Sequence, residues 1–228
     1  MLRGTDSTIY APRVFGSTSE EDVTIVTFSS DICRKIVYTI TDGSQFNGTY
    51  YLKATMGPEN MKNEGENSCY CIKKTPDIFG RRDCFPRGFC DMGNCLKAPV
   101  VLSLPHMLWS EGPYRARIKG LRPRRKKHIS YIVLDEITGT LLQSRKRMQY
   151  NIFLRPVDVV NTTKTFESAM LPFLWVEENF DLTNDIIAGV VSRYMKKVQY
   201  LYIICYTLIG VGTIGGSTLA VYLLFPRF

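Results

Sequence analysis

The pattern of apolar and polar positions divides the chain in two. Between Lys197 and Arg227 no position carries a carboxylate or a basic group, and Leu, Ile, Val, Tyr, Gly and small polar residues fill the gap. That gap exceeds the roughly 20 residues a helix needs to cross a bilayer core. A soluble core helix is rarely apolar on every face for so long. The pattern predicts a transmembrane helix over 198–226 and a tail of 227–228.

Residues 1–197 read differently. Short β-branched or alternating runs predict strands at Val23 to Phe28, Ile36 to Ile40, Tyr50 to Thr55, Val100 to Leu104, His128 to Leu134, Leu141 to Leu154 and Met170 to Val176. Within the longest, Tyr150, Ile152 and Leu154 alternate with Asn151, Phe153 and Arg155, as one buried face requires. Gly57-Pro58 and Gly65 break the chain into a polar loop, and Gly112 to Lys127 reads as a second one. Thr183 can cap a helix that continues unbroken into the membrane span. Strands joined by turns and returning loops predict an α+β chain. Its residues 1–197 form a mainly antiparallel, barrel-like domain, followed by the membrane helix.

Charge changes the picture at one place. The net charge is +8. Arg115, Arg117, Lys119, Arg122, Arg124, Arg125, Lys126 and Lys127 follow one another with no acidic residue between them. The run reads as a solvated loop, or as a surface for anionic head groups or ligands. It has no interleaved aromatics for base stacking, which argues against a nucleic-acid partner.

The cysteines bear on the compartment. Six of the seven lie between Cys33 and Cys95, a density typical of oxidising surroundings. The spacing of Cys69, Cys71, Cys84, Cys90 and Cys95 does not match zinc-knuckle pairs, so disulfides are the simpler reading. Sequons at Asn47 and Asn161 predict glycosylation in an external domain. Arg193, Lys196 and Lys197 before the span, against Arg227 after it, would place the domain in the cytosol by the positive-inside rule. The cysteines outweigh that bias, and the expected location is the plasma membrane with the N-terminal domain outside and a very short cytoplasmic end.

Candidate chemistry is sparse. There are two histidines, no nucleophile elbow and no paired carboxylates in an acid–base setting, so no enzyme, cofactor or metal is expected. His106, just after a strand, reads as a packed or hydrogen-bonded residue. In the span, Gly212, Gly216 and Ala220 share one face at i, i+4 and i+8. They suit close helix packing, for instance with another copy of the chain, or reflect the ordinary glycine content of membrane helices.

Several stretches together resemble the class B scavenger receptors, which include the fatty-acid translocase and the insect sensory neuron membrane proteins. They are Phe28 to Cys33 (FSSDIC), the Cys69-x-Cys71 pair, CFPRGFCDMGNC ending at Cys95, Ala98 to Met107 (APVVLSLPHM), Gly120 to His128 (GLRPxxxxH), Ile137 to Gly139 (ITG), Lys146 to Asn151 (KRMQYN) and Leu171 to Glu178 (LPFLWVEE). CLKAP, KRMQYNIFLR and LWVEE are most similar to the sensory neuron branch.

The resemblance implies a β-barrel core with a lipid tunnel. It also implies non-enzymatic capture of lipids or other hydrophobic ligands, possible delivery of fatty-derived odorants to an olfactory receptor, or a scavenger role toward lipoproteins and apoptotic cells. It implies disulfides Cys33–Cys95 and Cys71–Cys84, with Cys69 unpaired or in a substitute bond to Cys90. It carries over no ligand-binding residue. Family members have an N-terminal span and a longer first half, so the chain resembles a C-terminal piece that need not bind ligand alone. The segment before His128 is often acidic in relatives and here is Arg124 to Lys127, and Cys90 stands where relatives usually have an apolar residue.

Overall fold

The computed structural model describes residues 5–8, 10, 24–46, 49–71, 75–136, 138–157 and 159–224. They form two compact units divided after Asp181.

The first unit is built on β1 (Thr24–Ser29), β2 (Arg34–Phe46), β3 (Thr49–Met56), a two-residue pair β4 (Thr75–Pro76) and β5 (Arg82–Asp83), β6 (Cys90–Asp91), β7 (Val100–Ser103), β8 (Tyr131–Asp135), β9 (Leu141–Leu154) and β10 (Ala169–Asp181). Short helices α1 (Gly93–Leu96), α2 (Gly112–Ala116) and α3 (Arg125–His128) lie in the connections. All but β4 and β5 join one eight-stranded sheet, and its strand pairings are antiparallel. The hairpins β1–β2–β3 and the turn between β8 and β9 follow from β-branched runs separated by turn residues. At the latter, the Asp135 carboxylate accepts the Thr138 N–H at 2.8 Å and Gly139 takes φ +70°.

The strand β9 organises the sheet. One edge pairs with β10 along nearly its whole length, from Gln143↔Asp181 to Leu154↔Ala169. The other edge is divided: β8 covers Leu141 to Arg145, and β7 covers Gln149 to Ile152. At the junction the Ser130 hydroxyl stands in for a strand. It accepts the Arg147 N–H at 2.9 Å and donates to the Arg147 carbonyl at 3.2 Å.

Asn60 does the same for β2, accepting the Val37 N–H at 2.6 Å and donating to the Val37 carbonyl at 2.8 Å. The motif around Gly88 also has a backbone reason. Gly88 takes φ +93°, and a Cβ there would sit 2.4 Å from the Ser110 Cα. Asn63 holds the same turn by donating to the carbonyls of Phe85 and Phe89.

The main core lies on one side of the sheet, with Ile36, Tyr38, Ala54, Leu102, Ile132 and Leu134 buried together. A smaller cluster collects Phe89, Val101, Met107, Tyr114 and Met170. Each well-buried aliphatic side chain contributes on the order of 2 kcal/mol.

Two expectations, the closed barrel and the all-loop basic segment, are corrected. The sheet does not close into a barrel among the described residues: β1, β6 and β10 are its separate ends, because the divided edge of β9 forks the sheet instead of rolling it up. On β9 both faces contribute to the core: Met148 and Asn151, on opposite faces, are buried, while Ile152 is 45% exposed. The Asn151 amide donates to the Val101 carbonyl and to Ser103 Oγ, and its Oδ1 accepts from Gln149, so hydrogen bonds offset the polar burial. The basic segment is not all loop, since it carries α2 and α3.

The second unit is one helix, α4 (Asn184–Leu224). Its stretch Lys196–Leu219 is long and apolar enough to cross a membrane, with mean hydropathy 1.5. The expected end of the span at 226 and the tail 227–228 lie outside the described residues.

Replacing Ser130 by Ala removes the side chain that bridges the β7–β8 gap onto Arg147 among the described residues and leaves an N–H and a C=O without partners. The expected loss is about 1–3 kcal/mol. Chemical denaturation of the detergent-solubilised chain measures it, and Ser130→Thr, which keeps the hydroxyl, recovers part of the loss.

Candidate functional site

Two features of the first unit have the character of sites. The first is a cavity of about 300 Å3 beside β1, β2 and β8, whose wall includes Tyr10, Phe28, Ile36, Tyr38, Ile132 and Leu141. Alternate residues of β1 and β2 point to it because neighbouring side chains on a strand face opposite ways. Burial raises the pKa of both Tyr10 and Tyr38, so their phenols stay protonated.

Lys146 stands at the polar side of this cavity. It bonds Asp31 and lies 3.2 Å from Glu178. Burial works against its charge, but the bond to Asp31 and the negative charge of Glu178 outweigh it, so its pKa is raised. The bond to Lys146 in turn holds the Asp31 carboxyl below its usual value. The arrangement offers a mixed wall, apolar over Tyr10, Phe28, Ile36, Tyr38, Ile132 and Leu141 and polar over Asp6, Ser29, Ser30, Ser144 and Asn179, with an internally compensated ion cluster at one side.

The second feature is the basic segment after α2. His106 and His128 stack with ring centroids 4.5 Å apart, and Trp175 of β10 meets both edge-on at 5.8 and 5.6 Å. His106 sits at φ +54° in a turn that Pro105 opens, and its N–H donates to the Gln149 side chain at 2.8 Å. Each imidazole accepts a main-chain N–H through Nδ1: His106 from Arg122 at 3.2 Å and His128 from Arg124 at 3.0 Å. The proton of each neutral ring therefore sits on Nε2. The pair pins residues 122–124 as an arch, from which Arg122, Arg124, Arg125, Lys126 and Lys127 are exposed.

His128 is 4% exposed. Burial is the largest cause of its lowered pKa, followed by the neighbouring His106, Arg147 from β9, and Lys127 and Arg124 from its own segment. The sequence reading took His106 as a lone residue. The second histidine eight positions into the Gly120 stretch was the available signal, but nothing in the spacing showed that the two rings would stack.

The remaining expected residues are distributed as follows. Cys33 and Cys95 are bonded, with Cα atoms 5.9 Å apart, and Cys71 and Cys84 likewise, at 5.5 Å. Cys69 is an exposed thiol and Cys90 a buried one, so the substitute Cys69–Cys90 bond is not formed. The reason is packing: Cys90 is fully buried and its sulfur lies 3.3 Å from that of Met61. Cys90 behaves as the small apolar residue that its position requires.

Cys205 is on α4. Asn161 is exposed at the start of a short turn, Asn161–Thr163, while Asn47 lies outside the described residues. Gly212 and Gly216 present open surface, with nothing within 4 Å of a Cβ built at either. Ala220 is on the same helix, but its side chain lies outside the described residues. No group of three or more His, Cys, Asp or Glu side chains is placed to hold a metal ion among the described residues.

Comparison with known proteins gives a consistent result. The sequence profile of the CD36 family matches residues 1–223. Sensory neuron membrane protein 2 of Anopheles gambiae is 34% identical over 215 residues, covering 92% of this chain and 36% of that protein. Its namesake in Drosophila melanogaster is 30% identical over 231 residues, covering 99% and 40%. Sensory neuron membrane protein 1 of Apis mellifera is 29% identical over 223 residues, covering 97% and 40%. The chain thus spans about two fifths of the length of these relatives.

The imidazole pair gives the fold a pH dependence of known sign. Because the folded-state pKa of His128 lies below its usual 6.5, its contribution is present in full above about 6.5 and is lost as pH falls through the depressed value. Thermal melts are expected to fall between about pH 7.5 and about pH 5. His128→Asn, whose Oδ1 can take the place of Nδ1 and cannot be protonated in this range, flattens that dependence. An unchanged slope in the variant shows that other groups govern it.

Proposed function

The chain belongs to the CD36 family, and we propose that it forms part of a membrane receptor of the class B scavenger type that takes up hydrophobic ligands. The cavity walled by Tyr10, Phe28, Ile36, Tyr38, Ile132 and Leu141 is the observation that carries this reading. At about 300 Å3 it lies at the small end of ligand sites, roughly 300–1,000 Å3. An apolar wall of this kind shields a hydrocarbon chain at about 0.8 kcal/mol per methylene. The role is binding and transfer, without chemistry on the ligand.

The similarity to insect sensory neuron membrane proteins supports a finer assignment, in which fatty-derived odorants or pheromones pass to a partner receptor in the same membrane. The helix α4 serves as the transmembrane anchor, with 198–226 in the bilayer. Gly212, Gly216 and Ala220 form its packing face toward another copy or another span. The first unit faces the outside of the cell. Its two disulfides and the exposed Asn161 support that orientation.

Because the sheet is open, a ligand held by this chain stays partly wet. Titration of a fluorescent fatty acid into the chain and into the full-length Anopheles gambiae relative, both in the same detergent, is expected to saturate for the relative. The chain should bind at least about ten-fold more weakly, a difference of about 1.4 kcal/mol. Ser144→Phe, at the cavity wall, removes the remaining signal. No saturation by either protein overturns the lipid reading, and equal affinities overturn the account of an open site.

Orientation has its own measurement. Chain made in insect cells should migrate faster after N-glycosidase treatment, and Asn47→Gln with Asn161→Gln should abolish the shift. A wild-type chain that is inserted in the membrane but unmoved by the glycosidase places the first unit in the cytosol.

A further inference from the structure

We propose that the arch at residues 122–128 binds a linear sulfated polysaccharide of the extracellular matrix. The proposal rests on the external placement of the first unit argued above. Arg122, Arg124, Arg125, Lys126 and Lys127 are all exposed, and no carboxylate pairs with any of them among the described residues. The sequence offers no acidic residue from Gly112 to Leu134 to neutralise them. Like charges held this close repel one another, so the arrangement is costly unless a polyanion relieves it.

A solvated run of cations ordinarily samples many conformations, and ordering its backbone costs a ligand part of its binding free energy. Here the backbone is already fixed. Arg122 and Arg124 donate their main-chain N–H groups to the two stacked imidazoles, and Trp175 packs against both rings. The Lys127, His128 and Ile129 N–H groups bond back to Arg124 and Arg125 carbonyls. The side chains that project from this support are therefore preorganised on a rigid turn. Guanidinium forks fit the oxygens of a sulfate group in pairs, and the lysines add unspecific positive charge.

The class of polyanion follows from the compartment. Phosphatidylserine and phosphoinositides are concentrated in the cytoplasmic leaflet, so an external arch would meet a bilayer with little negative charge. Sulfated polysaccharide is the abundant linear polyanion on the outer side, and a basic cluster of this density is the type of surface that holds it.

The test uses the full chain in uncharged detergent or nanodiscs, with size-defined heparin as the probe and phosphatidylserine vesicles as the competing surface. Wild type should bind heparin at physiological salt, with affinity falling steeply as salt rises. Arg125→Gln with Lys126→Gln should lower the affinity about ten-fold. Arg87→Gln with Lys164→Gln removes the same charge from exposed positions elsewhere and should change it by less than about two-fold.

Equal loss in the two double variants, or no heparin binding, overturns the proposal. So does binding to the anionic vesicles that heparin fails to compete. A glycosylated chain that ignores heparin removes the proposal and leaves the external placement standing. An unglycosylated, membrane-inserted chain removes the placement, and the polysaccharide assignment with it, whatever the purified arch binds.

Discussion

A strand of 14 residues presents backbone donors and acceptors along two edges, and Leu141–Leu154 must satisfy both within a small fold. Along one edge β10 pairs with nearly its whole length. The opposite edge is shared by two shorter strands, β8 and β7, and a gap between them is unavoidable because each pairs in its own register. Ser130 fills that gap with one hydroxyl that both donates and accepts. Were the groups of Arg147 left bare, about 1–3 kcal/mol of desolvation would fall on a fold whose total stability is only about 5–15 kcal/mol. The fork in the sheet, the burial of Asn151 and the placement of the imidazole pair all descend from this division of one edge.

Charge then fixes how β10 lies on β9. Arg145, Lys146 and Arg147 stand near Asp181, Glu178 and Glu177 at 2.7, 3.2 and 3.0 Å. Each pair is partly exposed and contributes only a few tenths of a kcal/mol to about 1 kcal/mol. Their larger effect is on register, since a slip of one residue would exchange faces and oppose like charges with apolar neighbours. Lys146 serves both purposes: it pairs across the strands and, through Asp31, ties β9 to the segment beside the Cys33–Cys95 bond. The cavity is thus framed by the same ion cluster that aligns the strands.

Strand positions were legible because apolar runs and turn residues report local structure. Leu141 to Leu154 coincides with β9, and the run expected from Val100 falls on β7. Which face is buried was not legible for β9. Alternation identifies two faces, and hydrophobicity normally chooses between them, but both contribute buried positions here: Met148 on one, and on the other Gln149 and Asn151, which hydrogen-bond each other and Ser103. Closure of a sheet is likewise a long-range property, invisible in runs of six residues. His128 read as the start of a strand, whereas the stacking with His106 depends on a positive-φ turn that a sequence pattern does not encode.

Two positions show how differently the fold treats its inside and its surface. At Cys90 the interior accepts a thiol in place of an apolar side chain because volume and burial are what the site constrains. Its pKa is raised by burial, so the thiol stays neutral and unreactive beside Met61. At Arg124 to Lys127 every side chain is exposed and cationic, while the arch stands on its histidine anchors. A solvent-facing segment held by main-chain bonds can exchange every exposed side chain without disturbing its support. Selection on such a segment acts through what it meets in solution, so the arch is where this chain is free to differ in partner while retaining the fold.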